Sequence, residues 1–249
     1  MKRLKYFAYP ICHDEITLVS MKHLNIDGIV FDLDATLVNL GGFVEWRKAH
    51  EEIVDNYLEL DCNEKTVKAC SDKGLFTMLE EMYVNLQEKR GDNEARRVQN
   101  SAYEILSSFE EKGVESCTLM DGCITMLDWL KNRGIPMGIC TSNSTKSAIS
   151  ALQSQRLRHY FQAIVGRSVN FRMKPHPAQL EECFRQIGVD PARGVMVGDS
   201  HKDIIAGKAT GAYTVGIPVY FTRLELMKEA GVDIIIENLS ELPAILEGL

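Results

Sequence analysis

The sequence contains no CxxC pair, no uninterrupted apolar run of about 18 residues, and no excess of positive charge. Each absence removes a class of protein. The seven cysteines are Cys12, Cys62, Cys70, Cys117, Cys123, Cys140 and Cys183. An odd, scattered set argues against a disulfide framework or a zinc site, and a reducing, cytoplasmic location is expected. Without a long apolar run, no transmembrane helix and no membrane partner are expected. The net charge of -7 speaks against a nucleic-acid-binding surface, which is normally basic. Residues 1–6 are basic, but the apolar run after them is broken by Pro10, His13, Asp14 and Glu15, so a signal-peptide core is missing. No internal repeat or low-complexity segment is visible.

What is present suits one large domain, or a domain with an insertion: 249 residues, 45% of them hydrophobic. Met21 opens MKHLNIDGIVFDLD, a complete start for a first strand, so residues 1–20 are expected to be a dispensable extension or a rarely used upstream start. From about residue 120 onward, helix and strand patterns alternate. Helices are expected at 121–132 (capped by Asp121), 144–155, 177–187, 200–210 and 223–230, and strands at 135–140, 163–165, 194–197, 213–216 and 233–236. Such alternation favours an α/β fold, a Rossmann-like parallel sheet with helices on both faces. Residues 41–115 differ. Phe43, Trp46, Ile53, Val54, Tyr57 and Leu58 recur at helical spacing, as do Phe76, Leu79, Met82, Tyr83 and Leu86. This segment reads as an inserted all-helical cap, with its aromatic residues as bundle core. Its expected hinges are Gly41-Gly42 and the stretch 113–120. The core would then comprise residues 21–40 and 116–249.

Four polar clusters follow expected strands. Asp32 and Asp34 leave the apolar run Ile29-Val30-Phe31. Two carboxylates at a strand end repel unless a cation or a shared proton offsets them, although an Asp-rich turn has the same local pattern. Thr141-Ser142-Asn143-Ser144 follows the strand expected to end at Cys140 and opens a helix, which suits an anion site and equally suits ordinary capping by Asn143 or Ser144. Lys174, stiffened by Pro175 and Pro177, would offer a fixed positive charge to a phosphoryl group, or lie solvated at the surface. Asp199 and Asp203 stand one helical turn apart after the strand 194–197. They fit a magnesium site or simple charge complementarity with a helix N-terminus. His201 between them is a possible base or ligand, or a loop residue.

In their order, DLDAT, TSNS, KP and GDSHKD resemble the four motifs of the haloacid dehalogenase (HAD) superfamily, over about residues 24–249. The helical insertion after the first motif looks like a C1-type cap, and the general look is that of phosphoglycolate phosphatase-like proteins. The resemblance implies Asp32 as a nucleophile that forms an aspartyl-phosphate, and Asp34 as general acid and base. It implies Thr141, with Ser142 and Asn143, as the phosphoryl cradle, and Lys174 as the charge that offsets the transition state. Mg²⁺ would be held by Asp32, the Asp34 backbone carbonyl and Asp199, with Asp203 in the metal site supporting it through water or orienting Lys174. The second aspartate favours phosphate-ester chemistry. Ala35 departs from the glycine common after that aspartate. The expected activity is Mg²⁺-dependent hydrolysis of a small phosphorylated metabolite. Alternatives are a sugar phosphomutase and a non-catalytic phospholigand-binding protein. Cap residues would separate the first two, with Glu45, Arg47, Lys48 and His50 as candidates and Arg47 as the contact to a substrate carboxylate or second phosphate. The cap is expected to close over bound substrate.

Overall fold

The computed structural model describes residues 26–219 and 221–248. The proposed extension, residues 1–20, lies outside them. The strands are β1 (Gly28–Phe31), β2 (Val38–Asn39), β3 (Thr118–Leu119), β4 (Met137–Ser144), β5 (Ala163–Arg167), β6 (Gly194–Gly198), β7 (Tyr213–Gly216) and β8 (Ile234–Ile235). The helices are α1 (Trp46–Glu59), α2 (Glu64–Ser71), α3 (Leu75–Arg90), α4 (Asp92–Val114), α5 (Cys123–Asn132), α6 (Thr145–Ser154), α7 (Ala178–Ile187), α8 (His201–Thr210), α9 (Phe221–Glu229) and α10 (Leu242–Gly248).

Six strands form one parallel sheet in the order β5-β4-β1-β6-β7-β8. Side chains alternate across it, as a two-residue repeat demands. Ile29, Phe31, Val195 and Val197 join one apolar cluster with residues of α5 and α6. Val30 and Met196 point the other way, into a cluster with residues of α7 and α8. The fold is therefore a Rossmann-like α/β sheet covered on both faces. The chain moves from β1 to β4 and β5 on one side, then returns to β6 on the other. Such a reversal leaves a crevice at the carboxyl ends of the central strands. Asp32 follows β1, Asp199 follows β6, and Thr141 lies in the outer part of β4.

Helices α1 to α4 intervene between β2 and β3, which pair antiparallel at their base. Ala49, Ile53 and Tyr57 of α1 are buried at four-residue spacing. They pack with Met78, Leu79 and Met82 of α3 in the same continuous cluster.

Three local expectations are corrected. Asp121 does not cap α5; Gly122 does, at φ +78°, where a Cβ would stand 2.5 Å from Asn238 Oδ1. The expected second hinge does not begin at Gly113, because α4 runs through it to Val114. Its missing side chain lets α4 approach Val44, whose Cγ2 would lie 3.1 Å from a Cβ at that position. The second strand of the sheet in sequence, β4, does not stop at Cys140 but continues through the TSNS cluster to Ser144.

Candidate active site

The extension of β4 has a physical cause. Cys140 pairs with Val165 and Ser144 with Arg167, so β4 advances four residues while β5 advances two. The surplus bulges from the ladder, as bulges near functional clefts do. Buried side chains satisfy the bulge. Arg167 Nη1 donates to the Ser142 carbonyl at 2.6 Å and to Glu110 Oε1 at 2.8 Å. Glu110, from α4, accepts from Ser144 N at 2.9 Å and from Asn143 Nδ2 at 3.3 Å. Asn143 Oδ1 accepts the Thr141 hydroxyl at 3.0 Å, and Gln179 Nε2 donates to the Thr141 carbonyl at 2.8 Å. A trans peptide sends its C=O and N–H in opposite directions. Arg167 on the Ser142 carbonyl therefore turns Asn143 N–H the other way, toward Thr141 Oγ1 at 3.2 Å.

Lys174 crosses under the strand ends. Its Nζ lies 2.7 Å from Asp32 Oδ1, 2.6 Å from Asp203 Oδ1 and 2.6 Å from the Cys140 carbonyl. The residue is only 5% exposed. Burial opposes its charge, but the Asp203 and Asp32 carboxylates outweigh burial and hold the amine protonated well above its usual range. Asp203 reaches the centre because residue 198 is glycine: a Cβ there would meet Asp203 Cγ at 2.4 Å. The other Asp203 oxygen accepts Ser200 N at 3.0 Å and Ser200 Oγ at 2.7 Å.

Asp32, Asp199 and Asp203 are all buried, and each offers a carboxylate oxygen within 4.8 Å of the others. Three enclosed carboxylates, two of them on Lys174 and the third on Arg223, suit a hard divalent cation, which takes oxygen ligands. Burial pushes the Asp32 carboxyl up to about 7 against the opposing pull of Lys174, with Asp203 and Asp34 adding to the rise. Asp34 faces elsewhere. Its Oδ1 accepts Gly41 N at 2.7 Å and Leu40 N at 2.9 Å. Burial raises its pKa, partly offset by those N–H groups. Ala35 sits at φ +61°, the left-handed region that glycine occupies freely.

These groups line one cavity of about 340 Å³. Asp32, Asp34, Thr141, Ser142, Asn143, Lys174, Asp199 and Asp203 all line it, together with His201. Arg47 does not: its side chain is 92% exposed and pairs with Glu51 at 2.9 Å. Lys48 pairs with Glu45, and His50 bonds Ser71 at 3.0 Å, so these three also have partners away from the cavity. The helical insertion reaches the cavity through Trp46 and Phe76 instead, and the core adds Lys202 and Arg223. Arg223 is ion-paired with Asp199. Helical spacing places Trp46 and Phe76 in a bundle core, and the sequence pattern does not single out Lys202, Arg223, Glu110 or Arg167. Lys202 lay inside a motif, but the other three carry no local signal.

Comparison with known proteins gives a concordant picture. A family model described as haloacid dehalogenase-like hydrolase matches residues 29–217. The pyrophosphatase PpaX of Bacillus pumilus is 25% identical over 225 residues, which span 90% of this chain and 98% of that protein. A phosphoglycolate phosphatase of Neisseria meningitidis is 27% identical over 210 residues, covering 82% and 86%. Among solved structures, a haloacid dehalogenase-like hydrolase from Streptococcus pneumoniae superposes with a TM-score of 0.60 at 22% identity, over 89% of this chain and 98% of that one.

Proposed function

The chain belongs to the haloacid dehalogenase-like hydrolases, and from that premise we propose that it is a Mg²⁺-dependent phosphatase that hydrolyses a small phosphorylated metabolite through an aspartyl-phosphate on Asp32. The observation that carries the reading is the division between the two aspartates. Asp32 lies against Lys174 and the carboxylate cluster, whereas Asp34 is turned onto the N–H groups of Leu40 and Gly41.

In the first step an Asp32 oxygen attacks phosphorus. The bond from phosphorus to the leaving oxygen breaks as Asp34 delivers a proton to that oxygen. The raised pKa of Asp34 suits it to arrive protonated. In the second step water attacks the phosphorus and gives a proton to Asp34. The bond to Asp32 then breaks, releasing inorganic phosphate and restoring the carboxylate. Lys174 offsets charge on the phosphoryl oxygens and favours the ionised form of Asp32 against its burial. Thr141, with the backbone N–H groups of Ser142 and Asn143, cradles the transferred group. Asp32, Asp199 and Asp203, with the Asp34 carbonyl, would hold Mg²⁺, which supplies the positive charge needed for an anionic carboxylate to approach an anionic phosphate. Trp46 and Phe76 support a role for the helical insertion, about residues 41–115, as a cap over the cavity. Among the described residues, no helix is long and apolar enough to cross a membrane.

The test is phosphate release from p-nitrophenyl phosphate and a metabolite-phosphate panel, with Mg²⁺ and with EDTA. Turnover should need Mg²⁺ and vanish in Asp32→Asn. Interconversion of sugar phosphates without phosphate release would identify a mutase. A wild-type protein that binds phosphate esters but turns none over would be a ligand-binding member of the family.

A further inference from the structure

Lys202 stands in the first turn of α8, next to Asp203, and lines two adjoining chambers. One is the catalytic cavity of about 340 Å³; the other, of about 280 Å³, extends toward Arg172 and His176. Phe76, Ser142, Lys174 and Lys202 line both, so the chambers form one cleft with Lys202 at the junction.

Every other lysine or arginine that lines this cleft has a carboxylate against it. Lys174 has Asp32 and Asp203, Arg223 has Asp199, and Arg172 has Glu80. Lys202 has no carboxylate at salt-bridge distance among the described residues. The contact of its ammonium is with the Phe76 ring, 5.8 Å from the centroid, a weak cation–π attraction. The Asp203 and Glu80 carboxylates act on this ammonium only from beyond salt-bridge distance, so partial burial has cost it hydration with no carboxylate contact to replace it. An anion arriving from solution restores the balance. The transferred phosphoryl group already has Lys174 and the Thr141 loop, so a second anion is the group without a designated partner.

We propose that the substrate carries a second anionic group, a carboxylate or another phosphate, on the leaving-group side, and that Lys202 seats it at the junction of the two chambers beside Phe76. This rests on the phosphatase reading of the same cleft. It concerns which esters are preferred, not how the phosphorus is attacked.

The experiment compares kcat/KM for 2-phosphoglycolate and pyrophosphate with that for p-nitrophenyl phosphate, in wild type, Lys202→Gln and Lys202→Arg. A charge-assisted hydrogen bond predicts that the selectivity for the two substrates with a second anionic group over p-nitrophenyl phosphate, whose leaving group carries none, falls by about 10- to 100-fold in Lys202→Gln, mainly through KM. Lys202→Arg should recover much of it. A loss confined to 2-phosphoglycolate identifies a carboxylate as the second group, and a loss confined to pyrophosphate identifies a phosphate. An unchanged selectivity ratio overturns the proposal, whether both activities persist or both fall together. A second readout is independent of turnover: calorimetric binding of 2-phosphoglycolate, pyrophosphate and inorganic phosphate to Asp32→Asn, with and without Lys202→Gln. Equal weakening for all three, or none, overturns the proposal even if the wild-type protein proves inactive as a phosphatase.

Discussion

Arg167 and Glu110 form an ion pair 2.8 Å long in which neither side chain is exposed to solvent. It joins the end of β5 to α4 across the bulge in β4. Buried pairs of this kind gain little net stability, because desolvation consumes most of the attraction. Its structural consequence is local order. The pair holds the Ser142 carbonyl, the Asn143 side chain and Ser144 N. Removing one partner leaves a buried charge, so Arg167→Met should cost about 3–5 kcal/mol, a fall in Tm of roughly 10 °C for a chain of this size. The double variant Arg167→Met/Glu110→Leu should recover much of the Tm but not kcat, since the Ser142 carbonyl and Ser144 N stay without these partners. Thermal denaturation and steady-state kinetics together decide it. Recovery of kcat along with Tm would make the pair purely structural.

Gly41 and Asp34 make a second close pairing. A Cβ on residue 41 would stand 2.2 Å from Asp34 Oδ2. Gly41→Ala must therefore push the carboxylate off the N–H groups of Leu40 and Gly41. If Asp34 carries the proton, Asp34→Asn should lower kcat by about 10²- to 10⁴-fold, and Gly41→Ala should reproduce part of that loss with KM little changed. A Gly41→Ala enzyme with wild-type kcat would dissociate Asp34 orientation from proton transfer.

The parts that were readable from sequence are those in which chemistry and chain order coincide. Asp32, Asp34 and Asp199 each follow a strand, and parallel strands deliver their ends to one crevice, while Lys174 stands in the loop between β5 and α7, where flanking prolines mark it. Arg167 and Glu110 are 57 residues apart and meet only because α4 returns to the sheet. Arg47 lies away from the cavity for a simple reason: adjacent residues on a helix differ by about 100° in direction. Trp46 lines the cavity while its neighbour faces water. The end of β4 was misread because Thr141 to Ser144 are polar, and polar residues in an outer strand signal a loop until their buried partners are known.

Ala35 holds φ +61°, a conformation that costs an L-residue roughly 1–2 kcal/mol. Glycine there would relieve that cost and return part of it through the entropy of the unfolded chain. Ala35→Gly should therefore stabilise the fold by about 0.5–1 kcal/mol, visible as a rise of a few degrees in Tm. The bond from Ala35 N to Val38 O, 2.7 Å long, is backbone and survives. Activity should persist. A fall in kcat instead would mean that the Ala35 methyl, which lines the cavity, shapes the approach of substrate.

Glu80 links the helical insertion to the segment that carries Lys174. From α3 it accepts Met173 N at 3.2 Å and Arg172 Nε at 3.4 Å. Tyr83 donates to the Val169 carbonyl at 3.5 Å, and Arg96 to Asn170 at 3.1 Å. Arg172 is 56% exposed in its side chain, so the ion pair is screened and worth little; the bond to the Met173 backbone is the durable part. Lys174 itself is fixed by its contacts to Asp32, Asp203 and Cys140 and does not depend on Glu80 for its position. If the insertion closes over substrate, Glu80 stabilises the closed form by about 1 kcal/mol, the net value of one hydrogen bond. Glu80→Ala should then lower kcat/KM by about fivefold and speed amide exchange across residues 168–173. Glu80→Gln retains an acceptor for Met173 N and should behave close to wild type. Faster exchange in Glu80→Ala with unaltered kcat/KM would show that the contact orders the loop without contributing to closure.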